Sequence, residues 1–331
     1  MKIVIPGGSG HVGTLLARAF QGDGHEVVVL SRTPILAPWR VVAWDAATLH
    51  DWAHELDGAD VVINLAGRSV DCRYSRANRR VILESRVNST RVIGEAIVKS
   101  THPPRVWLQA STATIYAHRF DAPNDEMTGL LGGSEPNVPD TWRFSIEVAK
   151  AWEQAANEIC TPRTRKVLLR SAMTMSPDRG GVFDVLLGLV RRGLGGTNGN
   201  GRPYVSWIHD RDFIRAINWL IENDLDGVVN LSSPFPIPNA EFMKTLRQAC
   251  GQRFGLPAPR WMLELGAFFL RTETELILKS RRVVPGRLLD AGFQFEFATW
   301  ESAAKDLCEH WRAARHRPRT NAGAAISGPR P

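Results

Sequence analysis

The chain has 331 residues, 44% of them hydrophobic and 23% charged, a balance that suits one or two ordinary globular domains and excludes a disordered or fibrous polymer. No apolar run is long enough to span a membrane, no signal-like tract precedes the first apolar run, and Cys72, Cys160, Cys250 and Cys308 lie too far apart for a metal or disulfide framework; a cytoplasmic protein with reduced thiols and no membrane partner is expected. The net charge of +7 comes from dispersed arginines and a basic C-terminal stretch, without a basic run interleaved with aromatics, so nucleic acid is not an expected partner either.

The chain opens on a short apolar run, Lys2 to Ile5, followed by Pro6-Gly7-Gly8-Ser9-Gly10-His11-Val12-Gly13 and then an amphipathic helix from Thr14 to Phe20. Strand, glycine turn and helix in that order form a dinucleotide site. Gly7 permits the tight turn, Gly10 lets backbone approach a pyrophosphate, and Gly13 lets helix pack on strand. The N–H groups at His11 and Val12 then face the phosphates with the positive end of the helix dipole behind them. The spacing, G-x-x-G-x-x-G, resembles the extended, epimerase-like branch of the short-chain dehydrogenase/reductase superfamily.

Gly22-Asp23-Gly24 ends the helix, and His25 to Leu30 is a second buried strand. Ser31-Arg32 follows it, where an acid would bind the 2′-hydroxyl of NAD and an arginine can hold the 2′-phosphate of NADP. With no acid before Asp45, NADP(H) is favoured over NAD(H). Arg40 to Trp44 is a third strand ending at Asp45, which either meets the adenine amino group or caps a helix over Leu49–Leu56. Asp60 to Asn64 is a fourth strand. Leu65-Ala66-Gly67 after it resembles the superfamily's cofactor-lining Asn-x-Ala-Gly segment, and a long arginine-rich helix from Ser75 to Lys99 carries Asn88, which serves the site or its own helix.

Arg105 to Ala110 is a fifth strand, and five alternations of strand and helix imply an α/β fold: a Rossmann-like doubly wound parallel sheet with its ligands at the carboxyl ends of the strands. Ala110, which ends the fifth strand, and Ser171, which follows the sixth, join the cofactor-binding set with Gly7, Gly10, His11, Val12, Gly13, Ser31, Arg32, Asp45, Leu65, Ala66, Gly67 and Asn88. Ser111-Thr112-Ala113-Thr114-Ile115-Tyr116 resembles the Ser-Ser-x-x-Val-Tyr segment of the extended enzymes. That likeness makes Thr112 and Ser111 the hydroxyls that polarise a substrate oxygen, and Tyr116 one candidate acid/base. The superfamily's Tyr-x-x-x-Lys is absent: the next helix, around Thr141–Glu153, has no tyrosine, and none of Tyr74, Tyr116 and Tyr204 has a lysine four residues on. Either another group, among Tyr116, Glu147, Asp140 or a residue of the second lobe, supplies the acid/base, or the proton comes from water, or the protein binds cofactor without turnover.

Arg165 to Arg170 is a sixth strand. Beyond it, Pro177-Asp178-Arg179-Gly180-Gly181, Gly193-Leu194-Gly195-Gly196, Trp207-Ile208-His209 and Ser280 to Phe293 resemble, in order, the bacterial epimerase family proteins with their C-terminal module. The resemblance runs from residue 1 to about 310. It implies an NAD(P)-binding oxidoreductase or epimerase acting on an unidentified small molecule, with a non-catalytic NADP(H) sensor or scaffold as the alternative, as a monomer or homodimer. Pro6, Ile115, Ala117-His118 and Arg211 depart from that group's pattern. The expected organisation is a nucleotide lobe over 1–170 with a return segment near 210–232, a substrate lobe from 171–209 and 233–315, and a disordered tail over 316–331. Gly193 to Gly201 is either a flexible loop over the cleft or a plain surface loop, and Asp210 or Asp212 is expected to cap the helix after His209.

Overall fold

The computed structural model describes residues 1–33, 35–258 and 279–316. The middle of the expected substrate-lobe segment and all but the first residue of the expected tail lie outside them. The sheet is seven-stranded, in the order β10-β6-β5-β4-β1-β2-β3. Its strands are β1 (Lys2–Pro6), β2 (Glu26–Ser31), β3 (Arg40–Ala43), β4 (Val61–Asn64), β5 (Val106–Thr112), β6 (Arg165–Ser171) and β10 (Gly227–Leu231), and every pairing is parallel. These strands read as near-continuous Val/Ile/Leu runs because both faces are covered. On one face α1 (His11–Gly22) and α5 (Asp210–Glu222) bury Leu16, Phe20, Phe213 and Leu220; on the other α2 (Arg76–Lys99) buries Val92 and Ile93 beside Trp107 and Trp52. Each such large side chain contributes about 1.5–3 kcal/mol on leaving water.

Three features differ from the sequence expectations. The helix over Leu49–Leu56 is only a 3-10 turn, Asp51–Glu55, because Asp45 to Thr48 are tied into their own turn and Gly58, at φ +72°, breaks the chain beyond it. Neither Asp210 nor Asp212 occupies the N-cap of α5. His209 stands at the N-cap, its Nδ1 accepting from the Arg211 N–H at 3.1 Å. Asp210 adds a bond to the same N–H at 2.9 Å, whereas the fully buried Asp212 accepts from the N–H groups of Glu296 and Phe297, both at 2.8 Å. Lastly, Leu288 of α7 (Gly286–Asp290) and Phe293 join the core of the large sheet, not that of the second lobe, because α7 packs on β10.

A second core gathers α4 (Val182–Arg191), α6 (Asn239–Cys250) and α8 (Trp300–His316) around Phe183, Trp207, Phe242 and Trp300, the last two stacked at 4.1 Å. Two small sheets complete it: β7 (Met173–Met175) beside β9 (Trp207–His209), and β8 (Tyr204–Val205) beside β11 (Ile237–Pro238). His209 is buried there against Phe297, with Nε2 3.1 Å from Asp306, so it is a structural residue.

Candidate active site

The strand order reverses between β1 and β4, and ligands of such sheets bind at that switch point. Here Gly7, at φ +74°, turns beneath the loop after β4. A Cβ on it would stand 2.6 Å from Ala66 Cα, so only glycine fits. Gly13 packs on Gly8, where a Cβ would meet the Gly8 Cα at 2.4 Å. The space over Gly10 is open, its nearest neighbour being the Gly7 carbonyl at 3.6 Å. The N-terminus of α1 has no side-chain cap and no acid in its first turn, which leaves its N–H groups and dipole for an anion. Asn64 fixes the facing loop: its amide donates to Gln109 at 2.9 Å and its carbonyl accepts from the Ala66 N–H at 3.1 Å.

The resulting cavity, about 400 Å³, is lined by Gly7, Gly10, Ser31, Arg32, Asp45, Leu65, Ala66, Gly67 and Asn88. Sequence reasoning missed Ser9 and Thr33, which line it too. Ser9 and Ser31 hydroxyls lie 3.2 Å apart, and Ser31 also donates to the Thr33 carbonyl at 2.7 Å. Arg32 is exposed at this rim and pairs with no carboxylate among the described residues. Asp45 works as a local turn: although burial opposes its charge, bonds from the Thr48 hydroxyl and from the Thr48 and Ala47 N–H groups hold its carboxyl at about 2. Gly13 and Ala110 do not line the cavity, and neither do His11 and Val12, which begin α1; Ser171 lines the next one. The His11 Nε2 is buried without a partner, and the Gly181 backbone lies against it. The loop, the helix N-terminus and the hydroxyl-and-guanidinium rim together fit a phosphorylated dinucleotide.

A second cavity of about 200 Å³ follows, where Thr112 and Ser171 meet Tyr74, Phe144, Ser145 and Trp152. Thr112 accepts from the Thr114 N–H at 3.2 Å, capping a single 3-10 turn, Ala113–Ile115. Ser111 and Tyr116 are not in this cavity, which corrects two of the three catalytic assignments. Successive strand residues face opposite ways, so Ser111 points away when Thr112 points in. The buried Ser111 hydroxyl donates to Glu153 at 2.6 Å on α3 (Asp140–Asn157). Tyr116 is only 2% exposed; its hydroxyl donates to Asn230 at 3.0 Å and accepts from Arg170 at 2.9 Å. Burial raises its pKa against the pull of Arg170. Arg170 is in turn held by Glu153 through bonds of 2.8 and 2.7 Å, a buried network that fastens the sheet ends to α3.

The other acid/base candidates also point elsewhere. Glu147 is exposed, and Asp140 is paired with Arg79. Lys150 donates to the Gly132 carbonyl at 2.7 Å. The tyrosine at the cavity is Tyr74, from the loop before α2, buried with its hydroxyl 3.4 Å from the Ser145 hydroxyl that donates to it. No spacing in the sequence links residue 74 to residue 112. Arg86, also missed, reaches the same cavity from α2. Its guanidinium lies over the Trp152 ring at 5.0 Å and against Gly67, so the two cavities adjoin there.

The Gly193–Gly201 stretch is pinned, with N–H to carbonyl bonds from Gly196 to Leu256, Leu256 to Gly193 and Ala258 to Thr197 at 3.1, 2.7 and 2.9 Å. Gly199 and Asn200 form one wall of a wide open cleft of about 980 Å³ whose other walls include Phe120 and Trp142. Among the described residues no group of three or more His, Cys, Asp or Glu side chains could hold a metal, and no helix is long and apolar enough to cross a membrane.

Comparison with known proteins agrees with this geometry. The model of the NAD dependent epimerase/dehydratase family matches residues 3–232, and that of a domain of unknown function, DUF1731, matches residues 258–307. A human relative, epimerase family protein SDR39U1, is 30% identical over 311 residues, 93% of this chain and 99% of its own length. Epimerase family protein YfhF of Bacillus subtilis strain 168 is 29% identical over 317 residues, 93% and 98% of the two chains. The crystal structure of human SDR39U1 (isoform 2) with NADPH superposes with a TM-score of 0.80, covering 93% of this chain and 99% of that one.

Proposed function

This chain belongs to the NAD-dependent epimerase/dehydratase family, and from that premise we propose that it binds NADP(H) and catalyses hydride transfer at a carbonyl or hydroxyl carbon of a small molecule, with Tyr74 in place of the missing helix tyrosine. The observation that carries this reading is the second cavity: Thr112 and Tyr74, from distant parts of the chain, line one small space beside the glycine-loop cavity. The NADPH in the human relative's crystal structure, the rim of Ser9, Ser31, Arg32 and Thr33, and the lack of a carboxylate paired with Arg32 support NADP(H) over NAD(H).

When bound, the nicotinamide supplies or accepts the hydride. In the reducing direction, the Thr112 hydroxyl donates to the substrate carbonyl oxygen and stabilises the charge that develops there. Tyr74 delivers the proton to that oxygen, the Ser145 hydroxyl donates to the phenolate left behind, and solvent restores the phenol. Phe144, Val148 and Trp152 exclude bulk water, so each of these bonds acts in a low dielectric.

The competing reading, a sensor or scaffold that binds NADP(H) without turnover, draws on α3, which offers Phe144 at the cavity and a Lys150 committed to Gly132. Incubating the NADPH-loaded protein, with the nicotinamide deuterated on one face, against a panel of carbonyl compounds separates the two. Stereospecific deuterium transfer that falls at least 100-fold in Tyr74→Phe, with NADPH affinity unchanged, supports catalysis. Tight NADPH binding with no transfer to any member supports the sensor.

A further inference from the structure

Two guanidinium groups in this part of the molecule, those of Arg170 and Arg86, are treated oppositely. Arg170 is met by both oxygens of Glu153 and by Tyr116, and these partners raise its pKa against the cost of burial. Arg86 has no such partner. Its Nη1 donates to the Ile82 carbonyl of its own helix at 3.0 Å, and no carboxylate lies within ion-pair distance among the described residues. Burial lowers its pKa to about 10, with only Tyr74 and Cys72 opposing, so it stays cationic at neutral pH.

An enclosed charge without a counter-charge is costly, whereas a guanidinium has five N–H donors in a fork that matches a carboxylate. Among the described residues that line the cavity around Arg86 there is no aspartate or glutamate. Arg281 also reaches it, with Nε 3.3 Å from the Thr114 hydroxyl. The rest of the wall is hydroxyls and apolar or aromatic surface, including Val70, Phe144 and Trp152. Arg86 lines this cavity, on its border with the glycine-loop cavity at Gly67.

We propose that Arg86 binds a carboxylate of the substrate, so that the compound reduced or oxidised here is a compact 2-oxo or 2-hydroxy acid with an apolar or aromatic side chain. This deepens the oxidoreductase reading above and rests on it. With the carboxylate on Arg86, the neighbouring carbonyl oxygen falls to Thr112 and Tyr74 in the same small cavity. The reduction balances: the carbonyl carbon gains a hydride from NADPH, its oxygen gains the Tyr74 proton, and the products are the 2-hydroxy acid and NADP⁺.

The test uses the NADPH-loaded full chain and two probes of like shape, benzoylformate and acetophenone, which differ in the carboxylate. Binding is read from nicotinamide fluorescence and calorimetry. Benzoylformate is expected to bind at least 10-fold more tightly than acetophenone. Arg86→Met should erase that preference, Arg86→Lys should keep part of it, and NADPH affinity should stay within about 2-fold in both variants; a charge-assisted pair is worth about 10-fold or more. Equal binding of the two probes, or no binding of benzoylformate, overturns the inference while leaving the cofactor reading intact. A 10-fold loss of NADPH affinity in Arg86→Met also overturns it, because the guanidinium would then serve a cofactor phosphate. Failure of the wild-type chain to bind NADPH at all would instead overturn the reading on which the inference rests.

Discussion

Replacing Arg32 with alanine should weaken NADPH binding about 10- to 100-fold and leave NADH binding within about 2-fold. Arg32 stands exposed at the rim of the glycine-loop cavity, beside the hydroxyls of Ser9, Ser31 and Thr33, and among the described residues no carboxylate pairs with it. Two unit charges about 4 Å apart attract by about 1 kcal/mol in water and about 4 kcal/mol near a protein surface. A 2′-phosphate carries more than one charge, but exposure and salt reduce the gain, and about 1.4–2.8 kcal/mol remains, which is the stated range. The three hydroxyls stay in place in the variant, so some phosphate affinity persists. Fluorescence titration with both cofactors, at about 0.05 and 0.5 M salt, measures this. The wild-type preference should shrink with salt as the screening length shortens, and Arg32→Lys should fall between wild type and Arg32→Ala. Equal losses for both cofactors, or no loss for NADPH, would refute the assignment of this rim to the phosphate.

Gly13→Ala sets a Cβ 2.4 Å from the Gly8 Cα, so it should cost at least 10-fold in NADPH affinity in a protein whose circular dichroism is unchanged. Glu153→Leu strands the Arg170 guanidinium, which is only 7% exposed, and should lower stability by about 3–5 kcal/mol and the Tm by on the order of 10 °C. Adding Arg170→Met should restore part of that loss in a thermal melt, and a single variant melting within about 2 °C of wild type would contradict it. Asp45, held at about 2 against an ordinary value of 3.8, stabilises the folded state above about pH 4, and that contribution disappears as the pH falls toward about 2. Urea unfolding at pH 5 and pH 2.5 should therefore show a smaller acid-induced loss in Asp45→Asn than in wild type.

The strands and the glycine loop were legible because each is written locally: apolar runs of strand length, and glycines at places where a side chain would collide. Arg32 was legible for the same reason, since it directly follows β2. The hydroxyls at the end of β5 were half legible. Ser111 and Thr112 are both attractive as residue types, and only strand alternation separates them, sending one to Glu153 and the other to the cavity. Tyr116 matched a motif in sequence, yet the turn at Ala113–Ile115 carries it beneath the sheet ends, where Arg170 and Asn230 hold it. Tyr74 and Arg86 could not be found by spacing, because their place beside Thr112 is made by packing α2 on α3, a contact between segments about sixty residues apart. The cap at His209 was missed because an aspartate is the usual N-cap, whereas Asp212 is drawn inward by the Glu296 and Phe297 N–H groups.

The edge strand β10 has a consequence for how this chain can be made and cut. β6 is bordered by β5 on one side and by β10 on the other, and β10 comes from the stretch that follows the excursion through α4 and β7 to β9. Until residue 227 has been synthesised, the apolar run Val167–Leu169 ends the sheet with unpaired backbone groups, the kind of edge that recruits strands from other molecules. A fragment ending near residue 170 would carry every glycine of the nucleotide loop and still be incomplete, and it should aggregate where the whole chain does not. The polypeptide leaves the large sheet after β6, builds part of the second core, and comes back at β10 to cover the edge it left open, so a cut between β6 and β10 leaves that edge bare.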